Sequence, residues 1–309
     1  MNSLIITHGA DTDGIACAML LKLIDPKATT IMCEIFEVDN IVKKHIEENI
    51  FSKYDNIYIT DLGIKEETAN LIEEDDELKN KIKLFDHHIT NINLNNYSWI
   101  KVELEEENGK ASATTIFYRY LVETYQNELL LSNKVIEFVE LVRQIDTWEW
   151  AKNNNLEAKK IGDIFIFYGG YTFMSEFLKK LRDKEGKLFD EKEEFIFNLE
   201  QDHITSYINK KEKTLIIKQI DEYKVGVVFA DIYKSHLGNV LSEKYKDVID
   251  FIIIIDLSKA ISYRAFKEDV DLSKFAERYG GGGHKKAAAN SLPEGIRDKI
   301  FDMIYSIEK

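Results

Sequence analysis

Residues 4–14 read Leu-Ile-Ile-Thr-His-Gly-Ala-Asp-Thr-Asp-Gly, a short apolar run that passes straight into a turn carrying one imidazole and two carboxylates. The run has strand character, and the segment from Gly14 to about Ile24 has the length and pattern of a helix. The same unit recurs downstream. Ile31–Phe36 reads as a strand before a helix near residues 40–49, Ile57–Thr60 as a strand ending at Asp61 before a helix from about Glu66, and Ile82–Phe85 as a strand ending at Asp86-His87-His88. Alternating strands and helices predict an α/β fold with a mostly parallel sheet. Ligands of such sheets bind beyond the carboxyl ends of the strands. His8, Asp11, Asp13, Asp61, Asp86, His87 and His88 are therefore expected along one edge.

An aspartate at a strand end is ordinarily a turn former or a helix cap, and an isolated histidine needs no special role. Seven such groups at one edge are harder to accommodate, because converging carboxylates repel one another and lose solvation. A bound cation resolves the conflict. Imidazoles and carboxylates without thiolates suit a borderline-hard divalent ion such as Mn²⁺, and this number of ligands suits two ions sharing a carboxylate.

Further along, Ser112 stands at an N-cap position before a helix to about Tyr125, and a helix over about residues 134–145 ends at Asp146. Ser112 to Thr115 can be an ordinary cap or a phosphate contact. The aromatic stretch from Ile164 to Phe177 reads as core or an inter-domain wall rather than as a base-stacking platform. A charged segment at 190–213, with apolar residues at helical spacing, is expected to connect a first domain (1–189) to a second (214–309). The second is α/β, with strands expected at 214–220, 224–230, 248–256 and 260–266 and helices near 237–245 and 272–279. In it the four glycines Gly280 to Gly283 precede His284 and Lys285. Glycine supplies no packing, so the run is read as a loop whose backbone at Gly281, Gly282 and Gly283 can approach a phosphate, with His284 and Lys285 beside it. The GK[ST] of a Walker loop is absent. Arg264 offers a guanidinium fork suited to phosphate.

Composition narrows the setting. The 309 residues are 44% hydrophobic and 31% charged with only 2 prolines, as in an ordered globular protein. Phe251–Ile255, the longest strongly apolar run, is far too short to cross a bilayer, and no cationic stretch precedes an apolar h-region at the N-terminus. A cytoplasmic protein with no membrane partner is expected. Cys17 and Cys33 lack CxxC spacing and read as buried thiols. The net charge of −14 argues against a broad surface for long nucleic acid, whereas residues 257–309 carry 10 basic against 8 acidic side chains and can receive a small anion.

Taken in order, THGADTDG, ITDLG, FDHH, ASATTIFYRYL, VRQIDTWEW, SYRAF and RYGGGGHKKAAA resemble the DHH phosphoesterases with a C-terminal DHHA1 domain, in particular their NrnB-like oligoribonuclease branch. The resemblance covers essentially the whole chain. It implies a parallel-sheet DHH domain and a smaller α/β DHHA1 domain across a cleft. It also implies one metal held by His8, Asp11 and Asp61 and a second held by Asp13, Asp61, His87 and Asp146, Mn²⁺ being the expected ion. Asp86 would orient an imidazole, His88 would contact the phosphate or protonate the leaving oxygen, and Arg264 and His284 would bind substrate. The implied reaction is two-metal hydrolysis of short single-stranded RNA, 3′ to 5′, to 5′-mononucleotides. A phosphatase or phosphodiesterase for pAp or for linear or cyclic dinucleotides is the alternative, and a homodimer is left open. The family commonly reads AAG after GGGGH, whereas this chain has Ala287-Ala288-Ala289-Asn290, so a glycine-dependent turn there is expected to differ.

Overall fold

The computed structural model describes residues 2–183 and 185–306. The chain forms two compact units, one up to Phe197 and the other from Asn198 onward. In order, the first holds β1 (Ser3–His8), α1 (Thr12–Ile24), β2 (Thr29–Cys33), α2 (Val38–Glu47), β3 (Asn56–Thr60), α3 (Glu66–Glu73), α4 (Asp76–Lys81), β4 (Ile82–Asp86), β5 (Ile100–Val102), the short ribbon β6 (Glu105–Glu106) and β7 (Gly109–Lys110), α5 (Ala113–Tyr125), α6 (Asn133–Asp146), α7 (Glu149–Asn153), α8 (Leu156–Tyr168) and α9 (Gly170–Arg182). A long helix, α10 (Glu191–Glu212), carries the chain past Phe197. The expected connection at 190–213 is thus helical.

Five parallel strands lie in the order β2-β1-β3-β4-β5. Both faces are covered, and the period-2 alternation of side chains feeds two separate cores. Ile5, Tyr58 and Phe85 point to the core built with α1, α5, α6, α8 and α9. Leu4, Ile6, Ile57, Ile59, Ile82 and Leu84 point to the other, built with α2 and α3. The aromatic stretch at 164–177 contributes Ile164, Phe165, Phe173 and Phe177 to the first core. This strand order reverses direction between β1 and β3, which opens a crevice beyond their carboxyl ends.

β2 ends at Cys33, not Phe36 as the apolar run suggested: Glu34, Ile35 and Phe36 lie in the turn before α2, with Ile35 and Phe36 exposed.

The second unit holds β8 (Ile216–Ile220), β9 (Tyr223–Phe229), α11 (Lys234–Lys244), β10 (Phe251–Asp256), β11 (Ala260–Arg264), α12 (Leu272–Glu277), β12 (Gly282–His284), β13 (Ala287–Ser291) and α13 (Ile296–Tyr305). Its sheet has the order β12-β13-β11-β10-β9-β8, parallel only between β9 and β10. The glycine run, expected as a loop, enters a hairpin at the sheet edge. Ala289 sits inside β13 opposite Ser262 and Gly282, so the departure from the AAG pattern falls on ordinary strand.

Gly14 shows how tightly the crevice is built. A Cβ there would lie 2.2 Å from the His8 carbonyl oxygen and 2.9 Å from His8 Cβ, so only glycine lets the first turn of α1 rest on the end of β1. Gly14→Ala is expected to destabilise the first unit by about 1–3 kcal/mol, the cost of overpacking against backbone. Gly282→Ala, whose Cβ would meet nothing within 4 Å, should change stability by less than about 0.5 kcal/mol. Urea titration followed by circular dichroism measures both.

Candidate metal centre

Three strand ends and the end of α6 build the centre. Beyond β1, Asp11 caps α1 by accepting from the Gly14 N–H (3.1 Å) with one oxygen and lies 2.7 Å from His8 Nδ1 with the other. Asp13, in the first turn of α1, is fully buried. Its two oxygens accept from the Ala113 N–H (2.7 Å) and the Thr114 N–H (2.9 Å) at the start of α5, while the Thr114 hydroxyl donates to the Asp13 carbonyl (2.8 Å). Beyond β3, Asp61 adopts a left-handed backbone with φ of 57°, a conformation aspartate tolerates better than most residues. Its N–H is held by the Phe85 carbonyl (2.9 Å).

Asp61 stands between two groups of donors. One carboxylate oxygen is 3.5 Å from His8 Nδ1, and the other is 3.4 Å from His87 Nε2. His87 Nε2 also lies 3.7 Å from Asp13 Oδ2 and 3.5 Å from Asp146 Oδ2. Potential ligand atoms of His8, Asp11 and Asp61 fall within 4.8 Å of one another, as do those of Asp13, His87 and Asp146. All six residues singled out as metal ligands are therefore brought together.

At the end of β4, Asp86 is buried and accepts from Asn91 Nδ2 (2.6 Å), with His88 Nδ1 at 2.8 Å. This pair fixes the His88 ring and leaves Nε2 as its other nitrogen. A third grouping within the same reach is Asp61, His87 and His88, but His88 Nδ1 is already engaged by Asp86 and lies 4.0 Å from Asp61. We read His88 as flanking the cluster.

The electrostatics state the conflict that sequence reasoning anticipated. Burial and the neighbouring Asp13 push Asp61 up to about 6, and burial with the Asp13 charge pushes Asp146 up as well. Its hydrogen bond to Asp11 and the nearby Asp61 carboxylate raise His8 to about 10. Burial opposes the charge on His87, yet Asp61, Asp13 and Asp146 together hold it at about 10. Asp61 Oδ2, His87 Nε2 and Asp146 Oδ2 are nevertheless buried without a hydrogen-bond partner. Orphaned polar atoms of both kinds facing one another are what a cation would satisfy, so this donor set fits divalent metal.

Three contributing residues escaped the sequence reading. Glu34, just past β2, lies 3.7 Å from His8 Nε2; its position after a strand end was the available signal, masked by the apolar Ile35-Phe36 that follows. Asn91 orients Asp86. Arg143 is buried three residues before Asp146, where it donates to Glu140 (2.7 and 2.8 Å), to Glu149 (2.7 Å) and to the Lys110 carbonyl (3.0 Å). It thereby clamps the end of α6 and the left-handed turn at Trp148.

Two expectations about phosphate contacts are corrected. Ser112 is fully buried and its hydroxyl accepts from the Thr115 N–H (3.3 Å), and the helix amides it introduces are taken by Asp13. It is a cap within the scaffold. In the second unit the Gly281 N–H is taken by the Ala276 carbonyl (2.9 Å). A Cβ at Gly281 would meet Ala289 O at 2.1 Å, and Gly283, with φ of 139°, leaves 2.6 Å to Ala288 Cα. These two glycines are required by close backbone packing of the hairpin. Gly282 is open, and Lys285 and His284 are exposed.

Arg264 is different. Its guanidinium donates to the Tyr263 carbonyl (2.8 Å) and to Ser235 Oγ (3.0 Å), and no carboxylate pairs with it among the described residues. Burial accordingly pulls its pKa below the ordinary guanidinium value. Ala287 pairs with Arg264 on one side and His284 on the other. Directly opposed residues of antiparallel strands share a face, so both side chains stand on one face with a methyl group between them.

Residues 2–141 match the DHH family, N-terminal domain. Over 303 residues the chain is 34% identical to oligoribonuclease NrnB of Bacillus subtilis (strain 168), spanning 96% of this chain and 73% of that protein. Exonuclease RecJ bound to manganese superposes with a TM-score of 0.57 at 11% identity, covering 99% of this chain and 89% of that one. The pGpG-specific phosphodiesterase PggH of Vibrio cholerae does so with 0.53 at 14%, covering 99% and 98%. At those identities the two superpositions establish a shared fold.

Asp61→Ala should lower bound Mn²⁺ from about two per chain to about one or fewer, because the lost carboxylate serves both groups; metal analysis of the dialysed protein measures it, and an unchanged content would separate Asp61 from the ligands. Binding should also release protons. His8 and His87 are held near 10 without metal and are protonated at pH 7.5, whereas a coordinating imidazole is neutral. About two protons per chain should appear, and Mn²⁺ affinity should rise with pH from 6 to 9. Calorimetry in two buffers of different ionisation enthalpy counts them.

Proposed function

The chain belongs to the DHH family, and on that premise we propose that it is a metal-dependent phosphodiesterase that shortens oligoribonucleotides of a few residues from the 3′ end, releasing 5′-mononucleotides. The observation that carries this reading is the meeting of Asp61 Oδ2, His87 Nε2 and Asp146 Oδ2, buried and unpartnered, at the switch point of the sheet. The identity with an oligoribonuclease over nearly the whole chain supports the substrate class.

In this reading His8, Asp11 and Asp61 would hold one divalent ion and Asp13, Asp61, His87 and Asp146 the second, with Mn²⁺ as the expected ion. When bound, such a pair supplies charge neutralisation at the phosphate and activation of water. The protein's own part is positional. The amides of α5 hold Asp13 from behind, the left-handed turn aims Asp61 at both groups, and Arg143 steadies the helix end that carries Asp146. Hydrolysis adds water to phosphorus and breaks its bond to the 3′ oxygen of the preceding ribose. His88, its Nδ1 held by Asp86, gives a proton from Nε2 to that oxygen. His88 donates from Nδ1 to Asp86, and this contact raises the His88 pKa, which favours the protonated ring.

We assign the second unit to substrate binding: Arg264, a half-buried cation without a carboxylate among the described residues, and His284, with Gly282 and Lys285 beside it, take a phosphate other than the scissile one. The reaction is placed in the cytoplasm, in keeping with two unpaired thiols. No described helix is long and apolar enough to cross a membrane.

The test is a time course in Mn²⁺ with labelled RNAs of about five and about 20 residues, pAp and a cyclic dinucleotide. An acidic protein gains little counterion release from a long strand, so the short RNA should be degraded faster, to 5′-mononucleotides. His88→Ala should keep its metal and lose kcat by roughly 100-fold or more. Activity confined to pAp would remove the oligoribonuclease reading, and equal rates on both RNA lengths would point to a processive exonuclease.

A further inference from the structure

A cavity of ≈ 820 Å³ lies in the first unit beside the metal centre, formed by the turn after β2, the turn after β3 and the segment after β4. Its walls include Ile35, Phe36, Ile64, Thr90, Asn91 and Asn93. Its volume falls within the usual range for small-ligand pockets.

One hydrogen-bonded link and one looser ionic contact join this cavity to the cluster. Asn91 in its wall donates to Asp86, which holds His88, and Glu34, next to Ile35 in the chain, stands 3.7 Å from His8. A group attached to a phosphate at the cluster is thus within reach of the cavity. The lining then selects its chemistry. The ionisable wall residues Asp39, Lys65 and Glu66 sum to one negative charge, which disfavours a second phosphate. The remaining surface is apolar with a few amide and hydroxyl groups, as a flat heteroaromatic ring requires. Asn93 gives one N–H to Glu66 (2.8 Å) and keeps its carbonyl oxygen.

Phe36 supplies the sharpest sign. Its side chain is 79% exposed and that of Ile35 59%, and neither belongs to the two cores of the unit. An exposed aromatic ring that lines a cavity and belongs to neither core offers a face on which a base can stack.

We propose that this cavity is a nucleobase subsite, in which Phe36 stacks on the base of a nucleoside joined to the scissile phosphate and the amide edges of Asn91 and Asn93 meet its rim. The inference rests on the phosphodiesterase reading for its substrate. Stacking on a phenyl ring and contact with amides able to donate or accept make the subsite tolerant of base identity, as a scavenger of mixed short RNAs needs.

Two measurements test it. The first is kcat/KM of wild type and Phe36→Ala on a diribonucleotide and on the same compound lacking the base at the terminal residue, with Mn²⁺ content determined on both preparations. Phe36→Ala should lose about 5- to 100-fold on the intact dinucleotide, mainly through KM, as expected for one lost stacking contact, while Phe36→Trp restores it. On the abasic compound wild type and Phe36→Ala should differ by less than about twofold, because the ring then has nothing to stack on; this non-additivity is the signature of a direct contact. The second is equilibrium binding of AMP and of ribose 5-phosphate. Wild type should bind AMP more tightly, and Phe36→Ala should erase the difference. If wild type cleaves dinucleotides and Phe36→Ala performs equally well, the subsite falls while the function stands. If wild type cleaves no RNA yet binds AMP through Phe36, the oligoribonuclease reading falls and the subsite stands. Equal affinity of wild type for AMP and ribose 5-phosphate would overturn the subsite in either case.

Discussion

Asp13 is buried completely, and both of its oxygens are met by backbone amides from the first turn of a helix 100 residues further along the chain. A carboxylate at a helix N-terminus gains from the unsatisfied N–H groups and from the dipole behind them. Here that gain is structural as well as electrostatic, because the contact sets α1 against α5 and so fixes the crevice beyond β1. It also explains why a cap serine that looked available to a substrate is not. The positive end of α5 faces inward, toward a group that would otherwise add to the repulsion around Asp61 and Asp146. The rest of the centre is arranged around that anchored charge: His87, just beyond β4, faces it and also faces Asp146 at the end of α6 and Asp61 beyond β3.

What could be seen in the sequence was whatever the chain encodes locally. Leu4–Thr7, Ile57–Thr60 and Ile82–Phe85 announce central strands because buried parallel strands are nearly continuous in apolar residues, and the polar residues that follow each run are by that fact at the carboxyl edge. This placed every member of the metal cluster except Asp146, which ends a helix and which only the family resemblance implied. It failed where apolar character continued past the end of a strand. Ile35 and Phe36 extend the run from Ile31, so they read as strand interior, although both lie exposed in the turn beyond it. The hairpin at Gly282–His284 and Ala287–Ser291 was hidden for the opposite reason. Glycine and alanine leave no period-2 pattern to read, and the pairing is imposed by the sheet edge and by the absence of Cβ atoms at Gly281 and Gly283. Arg143 and Asn91 were invisible because their importance lies in partners far from them in sequence or in a turn whose geometry no propensity dictates.

The two units treat charge in contrasting ways. In the first, anionic groups are gathered and left short of cations. In the second, Arg264 is partly withdrawn from water, surrounded by neutral hydrogen-bond acceptors and left short of an anion. Each deficit is costly to the free protein and each is of the sign that a phosphate ester with its metals would cancel. Arg264 contributes binding energy that is already present in the scaffold before a ligand arrives, since among the described residues it has no competing ion pair to give up.

The division of the parallel sheet between two cores has a consequence for how this sequence tolerates change in length. Along β1 the odd-numbered Ile5 serves one core while Leu4 and Ile6 serve the other, and His8 sits at the end of that count. Adding or removing a single residue within the strand inverts the parity of everything beyond it. Each apolar side chain would still meet an apolar core, so packing alone would penalise the slip only modestly, but the imidazole would turn to the wrong side of the sheet. Insertions and deletions in this lineage should therefore fall in the turns and peripheral helices, while the distance in residues from Ser3 to Asp13 stays constant.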